Sequence, residues 1–168
     1  MSLTVEFHLL DRESNKARIR YTKLVSWSPS SNNWLKLNTD GSNIDNLSLS
    51  AVGGLIRNRD GVRQAGFSLN LGYGNIMLAE LNAIRHGLSL AWNMGYRLLH
   101  IESDSKEAVS SIHYADVGTH PMGSLILDYR FLMSREWSCT LTHCYRKTNF
   151  SADHLAKLGQ TLSIGLHI

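Results

Sequence analysis

The sequence predicts an α/β fold built on a mixed β-sheet with helices packed on its faces. Three closely spaced strand-like segments lie between residues 34 and 71. A long segment with helical periodicity follows, and strands and helices then alternate as far as residue 159. The predicted order is βββαβααβα. Strands joined by short turns pair antiparallel, whereas a strand reached through a helix pairs parallel, so this order predicts a mixed sheet.

The first three strands are predicted by alternation and by turn residues. In WLKLNTDGS (residues 34–42), apolar and polar side chains alternate, which is the period of a half-buried strand. The glycine and serine after Asp40 are turn residues, so this strand is expected to end near Asp40. Two further runs, Ala51–Arg57 and Val62–Leu71, flank an Asp-Gly pair, which is a strong hairpin signal. These three segments predict an antiparallel meander.

The longest helix is predicted over residues 76–95. Apolar residues recur there at i, i+4 and i+7 spacing, and Gly95 is placed to close the helix. YRLLHIES (residues 96–103) then predicts a short buried strand that ends at Asp104. The segment DSKEAVSSI predicts a helix that either Asp104 or Ser105 caps.

Three elements complete the predicted order. Residues 121–135 predict a helix with a proline near its first turn, and WSCTLTHCY (137–145) alternates as a strand. SADHLAKLG (151–159) predicts a final helix, with Ser151 as its cap and Gly159 as its stop. We therefore expect residues 1–33 to be an N-terminal extension or linker, 34–162 to be the domain, and 163–168 to be a tail.

Composition limits the class of protein. The 168 residues are 43% hydrophobic and 18% charged, which is globular and suits a single domain. No apolar run approaches the roughly 20 residues of a membrane span, and the N-terminus lacks the pattern of a secretory signal. The two cysteines lack metal-ligand spacing, so we expect a reducing intracellular compartment, nucleus or cytoplasm, with organelle targeting left open. The net charge of +3 permits a polyanionic partner without requiring one.

Four acids occupy positions where a carboxylate can face a cleft. Each has a plainer alternative: Asp40 as a turn residue, Glu80 as an exposed helical residue, Asp104 as a helix cap, and Asp153 as a complement to a helix dipole. Together, two aspartates at strand ends, a helical glutamate and a helix-start aspartate form the oxygen-ligand set that Mg²⁺ prefers. Such a set can support metal-assisted phosphoryl chemistry. Glu102 lies on the same strand face as Asp104 and is an alternative ligand.

Four motifs carry a family resemblance. TDGS (39–42), AELNAIRHGL (79–88), IESDS (101–105) and THCYRKTNFSADHLAK (142–157) occur in this order. Together they resemble the type 1 ribonuclease H family, and in particular the ribonuclease H-like domains of plant retroelements and their host-encoded relatives. The resemblance runs from about Trp27 to Gly159.

The resemblance implies a fold, a reaction and a set of residues. The sheet would have five strands in the order 3-2-1-4-5. The reaction would be hydrolysis of the RNA strand of an RNA–DNA hybrid with two Mg²⁺ or Mn²⁺ ions per site. The four acids fill the family's catalytic and metal-ligand positions, with Asp40 bridging both ions. His143, ten residues before Asp153, matches a histidine linked to product release or proton transfer. The alternative is that His143 is a structural histidine on the last predicted strand.

Contacts with the hybrid are the less specific part of the resemblance. We expect them from seven residues: Gly41, Ser42, Asn43, Asn75, Lys106, Arg146 and Asn149. Relatives place small polar side chains before the helical glutamate, whereas this chain has Ile76 and Met77, and Lys106 stands where many relatives have glutamine. Arg57, Arg59, Arg63 and Lys147 are further candidates for phosphate contacts, and a solvated surface is the alternative for each.

Three functions are consistent with these patterns. The first is a monomeric endoribonuclease that acts on RNA–DNA hybrids. The second is a non-catalytic nucleic-acid-binding domain of retroelement origin, and the third is a structural or interaction module. Four crowded carboxylates repel one another unless cations neutralise them, so a domain without catalysis has little reason to keep the set. The patterns therefore favour the enzyme.

Overall fold

The computed structural model describes residues 3–8, 20–44 and 48–168. In this part of the chain, a six-stranded mixed sheet carries helices on both faces. A separate two-stranded antiparallel sheet pairs β1 (Leu3–His8) with β2 (Arg20–Val25), and both strands lie in the region predicted as an extension or linker. Residues 1–2 and 9–19 of that predicted extension lie outside the described residues. The predicted division at residues 33 and 162 stays a prediction.

The main sheet has the strand order β7-β6-β3-β4-β5-β8. Its strands are β3 (Leu35–Ile44), β4 (Leu49–Arg57), β5 (Arg63–Tyr73), β6 (Leu98–Ser103), β7 (Ser138–His143) and β8 (Gly165–His167). β3, β4 and β5 form the predicted antiparallel meander, and β6 and β7 pair parallel. The predicted order 3-2-1-4-5 is confirmed for these five strands.

The prediction of five strands is wrong by one. β8 pairs antiparallel with β5 at the edge of the sheet through two residue pairs, Ser68 with His167 and Leu69 with Leu166. The strand has three residues, too few to show a period in the sequence. Pairing with the free edge of β5, rather than local propensity, makes this segment a strand.

Helices cover the two faces unequally. They are α1 (Ile76–Asn93), α2 (Lys106–Tyr114), α3 (Gly123–Met133) and α4 (Phe150–Gly159), and a 3₁₀ turn at Arg146–Thr148 precedes α4. α1 packs on one face, where a Cβ at Gly87 would lie 2.5 Å from the Leu37 side chain. α4 packs on the other, where a Cβ at Gly53 would lie 2.2 Å from the Ala156 backbone nitrogen. Glycine at both positions therefore permits close packing of helix on sheet.

Two predicted boundaries are wrong. β3 does not end near Asp40 but continues to Ile44, because β4 pairs with it as far as Ile44 with Leu49. The residue at the start of α4 is Asn149 rather than Ser151. The open alternative for α2 is settled, since Ser105 caps it by accepting a hydrogen bond from the backbone nitrogen of Ala108 at 3.2 Å. Asp104 is thereby free of the capping role.

Candidate metal centre

Three of the four predicted acids converge. Oxygen atoms of Asp40, Glu80 and Asp104 all lie within 4.8 Å of one another. Asp40 lies within β3, Asp104 directly follows the parallel neighbour β6, and Glu80 reaches them from α1. The pairing of β3 with β6 ends at Thr39 and Ser103, so the two aspartates occupy the next position on each strand. We call these three residues the acidic triad.

Backbone contacts orient Glu80. The Gly41 N–H donates a hydrogen bond to Glu80 Oε2 at 3.2 Å. A Cβ at Gly41 would lie 2.5 Å from the Glu80 backbone nitrogen, so a larger residue would push α1 away from β3. The structure thus gives Gly41 a packing role, and its predicted contact with nucleic acid stays a prediction.

Asn149 links Asp104 to the sheet. Its Nδ2 donates to the Thr39 carbonyl at 2.8 Å and to Asp104 Oδ1 at 3.3 Å. The Asn149 side chain is fully buried. It therefore holds the triad together from the start of α4, and its predicted contact with the hybrid stays a prediction.

Burial and mutual repulsion dominate the electrostatics of the triad. Asp40 is 3% exposed and Glu80 is 8% exposed. Burial, followed by the charges of Glu80 and Asp104, raises the pKa of Asp40 from 3.8 to about 9. Burial and the charge of Asp104 raise the pKa of Glu80 to about 8, against the opposing effects of the Gly41 hydrogen bond and of Arg146. A bound cation would offset this repulsion.

The fourth acid, Asp153, is tied to cations instead. Its carboxylate lies 2.7 Å from Lys157 Nζ and 3.6 Å from Arg146 Nη2. Asp153 is near enough to Asp40 to contribute to raising the pKa of that carboxyl. It stands in the first turn of α4, where an acid also complements the helix dipole.

A cavity of about 290 Å³ opens on the triad. Arg146 lines it, and the Arg146 side chain is 77% exposed. Ile76 and Met77 also line it, which places apolar side chains beside the acids. Glu107, in the first turn of α2, lies there too and was missed by the sequence analysis, although its position three residues after Asp104 was a usable signal.

The remaining predicted contact residues, Ser42, Asn43, Asn75 and Lys106, do not line this cavity and lie in different settings. Ser42 accepts a hydrogen bond from Gln160 at 2.8 Å, and Asn43 donates to Ser50 and to the Gly74 carbonyl, both at 2.8 Å. Asn75 is the exposed cap of α1, and Lys106 is the exposed first residue of α2. Their predicted roles in nucleic-acid binding stay predictions.

His143 stands apart from the triad. It is exposed at the end of β7, with its ring centroid 6.2 Å from that of Tyr145. It pairs in register with Ser103, one residue before Asp104. His143 thus lies on the strand next to β6, and its role stays a prediction.

Glu102, the alternative ligand, is bonded to protein side chains. Its carboxylate lies 2.6 Å from Lys36 Nζ and accepts a hydrogen bond from Asn38 Nδ2 at 3.0 Å. The ion pair occupies one carboxylate oxygen and the Asn38 hydrogen bond occupies the other, so the alternative of Glu102 as a ligand receives no support from its contacts.

Known proteins share this fold and sequence pattern. The reverse transcriptase-like family matches residues 38–159. A protein of Arabidopsis thaliana named "Putative ribonuclease H protein" is 32% identical over 148 residues, which is 88% of this chain. The chain spans 24% of that relative's length.

Solved structures show the same fold. RNase H1 from the halophilic archaeon Halobacterium salinarum is similar with a TM-score of 0.70 and 24% identity, over 76% of this chain and 98% of that one. The N-terminal RNase H domain of a Mycobacterium tuberculosis protein gives a TM-score of 0.70 and 22% identity, over 76% and 94%. LC11-RNase H1, solved in complex with an RNA/DNA hybrid, gives 0.68 and 18%, over 76% and 96%.

Proposed function

This chain belongs to the reverse transcriptase-like family, and we propose that it is a metal-dependent endoribonuclease acting on the RNA strand of RNA–DNA hybrids. The observation that carries the proposal is the acidic triad, whose oxygen atoms lie within 4.8 Å of one another in a largely buried setting. Burying like charges together is costly unless a cation joins them. The arrangement is therefore better explained as a cation site than as a surface cluster.

The triad fits Mg²⁺ or Mn²⁺ in chemistry and spacing. All three donors are carboxylate oxygens, which these hard cations prefer. Ligand distances of about 2.1 Å place opposite oxygens about 4.2 Å apart, so small side-chain shifts from the observed separation would suffice. Asp40 and Asp153 would contribute to a second ion, as the motif resemblance implies. When bound, such ions polarise the phosphate and lower the pKa of water.

The chain's own residues would orient the acids and the substrate. Gly41 fixes Glu80, and Asn149 fixes Asp104, so each carboxylate is held before substrate arrives. Arg146 offers an exposed guanidinium at the cavity, suited to a phosphate of the scissile strand. His143 would act beside this centre on a proton of the water or of the leaving group.

The hybrid substrate is inferred from relatives. LC11-RNase H1 and a foamy viral protease-reverse transcriptase were both solved in complex with an RNA/DNA hybrid. This chain has similar topology, and its curated relative carries a ribonuclease H name.

Among its described residues, no helix has the length and apolar character needed to cross a membrane.

A labelled hybrid tests the proposal directly. We expect cleavage of the RNA strand with Mg²⁺ or Mn²⁺, no cleavage in EDTA, and suppression by Ca²⁺. Calcium adopts higher coordination numbers and longer ligand distances, which misplace the reacting groups. Duplex DNA and duplex RNA of the same sequence serve as controls.

Two outcomes would overturn the proposal. Strong cleavage in EDTA would show that the acids do not act through metal. Retention of the hybrid in Ca²⁺ without cleavage in Mg²⁺ or Mn²⁺ would instead support a non-catalytic nucleic-acid-binding domain of retroelement origin.

A further inference from the structure

Beside the acidic triad, a second group of polar side chains crosses three strands. Lys36 Nζ lies 2.6 Å from Glu102 Oε1, and Glu102 Oε2 accepts from Asn38 Nδ2 at 3.0 Å. Asn38 Oδ1 in turn accepts from Arg57 Nη2 at 2.6 Å. Arg57 stacks over the Trp27 ring, with its Cζ 4.5 Å from the ring centroid. We call the residues Lys36, Asn38, Arg57 and Glu102 the strand network.

The strand network lies on the same face of the sheet as Asp40. Side chains two residues apart on a strand share a face, so Asn38 shares the face of Asp40. Asn38 pairs in register with Glu102, one step before the last pair, Thr39 with Ser103. The Asn38–Glu102 hydrogen bond is therefore the last side-chain link between β3 and β6 on this face before the two aspartates.

Nothing in the backbone pairing fixes the spacing beyond that point. The register of β3 with β6 ends at Thr39 and Ser103, and the next residues are Asp40 and Asp104, whose carboxylates repel when both are ionised. A side-chain bond two residues back limits how far the strand ends can separate. Asn149 supplies a second tie from α4, so the pair is held from two sides.

Stability alone does not explain why the strand network is buried. Lys36 is 2% exposed and Glu102 is 13% exposed. Removing such a pair from water costs about as much as its attraction returns, and an apolar pair would often serve a sheet equally well. Buried ionic groups are better attested where they fix a register, which is what this location offers.

We propose that the strand network is a positioning device for the metal centre. The Asn38–Glu102 bond sets the lateral spacing of β3 and β6 where the ligands Asp40 and Asp104 begin, while Lys36 and Arg57 hold its two members in place. Asn38 and Glu102 are positioning residues that touch neither metal nor substrate. The inference rests on the proposed function, because it concerns the same metal site.

Metal affinity, measured without substrate, tests the proposal. Binding of Mn²⁺ to the full chain is measured by calorimetry for the wild type, for Asn38→Leu and for the control Thr142→Val. Leucine has the same branched arrangement of side-chain heavy atoms as asparagine but cannot bond Glu102. The control removes another cross-strand side-chain bond, the exposed contact of His100 with Thr142 at 2.8 Å, which joins β6 to β7 and leaves β3 untouched. We expect Asn38→Leu to weaken Mn²⁺ binding about tenfold. The control Thr142→Val should weaken it by less than about twofold.

A second variant separates positioning from folding. Asn38→Leu leaves a guanidinium N–H of Arg57 unpaired. The double variant N38L/R57M therefore removes both members of the Asn38–Arg57 hydrogen bond, and Glu102 stays paired with Lys36. Urea unfolding establishes that each variant is folded, and the double variant is expected to show the same roughly tenfold loss.

Two results overturn the inference in distinguishable ways. Folded Asn38 variants that bind Mn²⁺ as tightly as the wild type, or a control that loses as much affinity as they do, would show that the network does not position the site. A wild-type chain that binds no Mn²⁺ would overturn the proposed function, and this inference with it.

Discussion

The acidic triad and the strand network are two clusters of charge that both connect β3 with β6 or the residue after it, and they differ in how that charge is balanced. In the network, Lys36 and Arg57 surround Glu102, and every charged partner is supplied by the chain. In the triad, three carboxylates face one another, and among the described residues the exposed Arg146 is a cation that acts on Glu80. The protein therefore balances the charge of the strand network with its own side chains, whereas the triad has the unbalanced negative charge that the proposed cation would neutralise.

A sheet can hold a charged site without losing its register when a balanced cluster lies next to that site. A balanced cluster costs little more than its desolvation and links the strands, whereas an unbalanced cluster pushes the strand ends apart. The balanced cluster lies two residues before the unbalanced one, so the repulsion acts where the pairing of β3 with β6 ends.

The largest effect is expected from Asp40→Asn. The amide removes charge from the position predicted to bridge both ions, so hybrid cleavage should fall by roughly a thousandfold or more. The metal-free protein should become more stable near pH 8, because repulsion within the triad is relieved. Cleavage kinetics and urea unfolding measure the two effects. Asp60→Asn, in the exposed turn between β4 and β5, is the control, and wild-type cleavage by Asp40→Asn would mean that the metal site is misassigned.

Lys36→Met should have the largest effect on stability. It leaves the buried Glu102 carboxylate without its counter-charge, which is expected to cost about 3–5 kcal/mol in the free energy of unfolding. The matched control is Lys157→Met, because Lys157 also pairs with an acid at 2.7 Å but is 58% exposed. Exposed pairs contribute about 1 kcal/mol or less, so urea unfolding should separate the two variants clearly. Equal losses of stability would show that burial does not make the Lys36–Glu102 pair more important than the exposed Lys157–Asp153 pair.

The stability of the metal-free protein should fall as pH rises. The folded-state pKa of Asp40 is raised from 3.8 to about 9 and that of Glu80 from 4.5 to about 8, so the folded protein holds protons that the unfolded chain releases. The stabilisation is complete below about pH 4 and is lost as pH rises through about 8 to 9. Thermal melts in EDTA should show a falling melting temperature across this window, and saturating Mg²⁺ should flatten it. Asp40→Asn should also reduce the slope, and an unchanged slope would contradict the assignment.

The smallest effect is expected from His143→Ala. A helper residue should contribute about 10–100-fold to turnover, without changing hybrid affinity in Ca²⁺. His154→Ala, an exposed histidine on α4, is the control. A loss as complete as that of Asp40→Asn would place His143 in the essential core, and our proposed role for it would be wrong.

Much of the fold was predictable because its signals are local. The alternation in β3 and the Asp-Gly turn before β5 predicted strands that the structure confirms, and Gly95 closes α1 with a φ of +79°. The end of β3 was not predictable from Gly41 and Ser42, because pairing with β4 overrides their turn preference. β8 was missed for a similar reason, since its strand conformation depends on a partner that is distant in sequence.

The order of the elements from β3 to α4 and the four acids were predictable from the sequence, because periodicity and motif spacing can be read along the chain. Which acids meet depends on the tertiary structure. The fold brings Asp40, Glu80 and Asp104 together. It pairs Asp153 with Lys157 and Arg146, and it pairs Glu102 with Lys36 and Asn38. Strand pairing and helix packing set these distances, and a carboxylate's role depends on the charges within a few ångströms of it, whatever their separation in sequence.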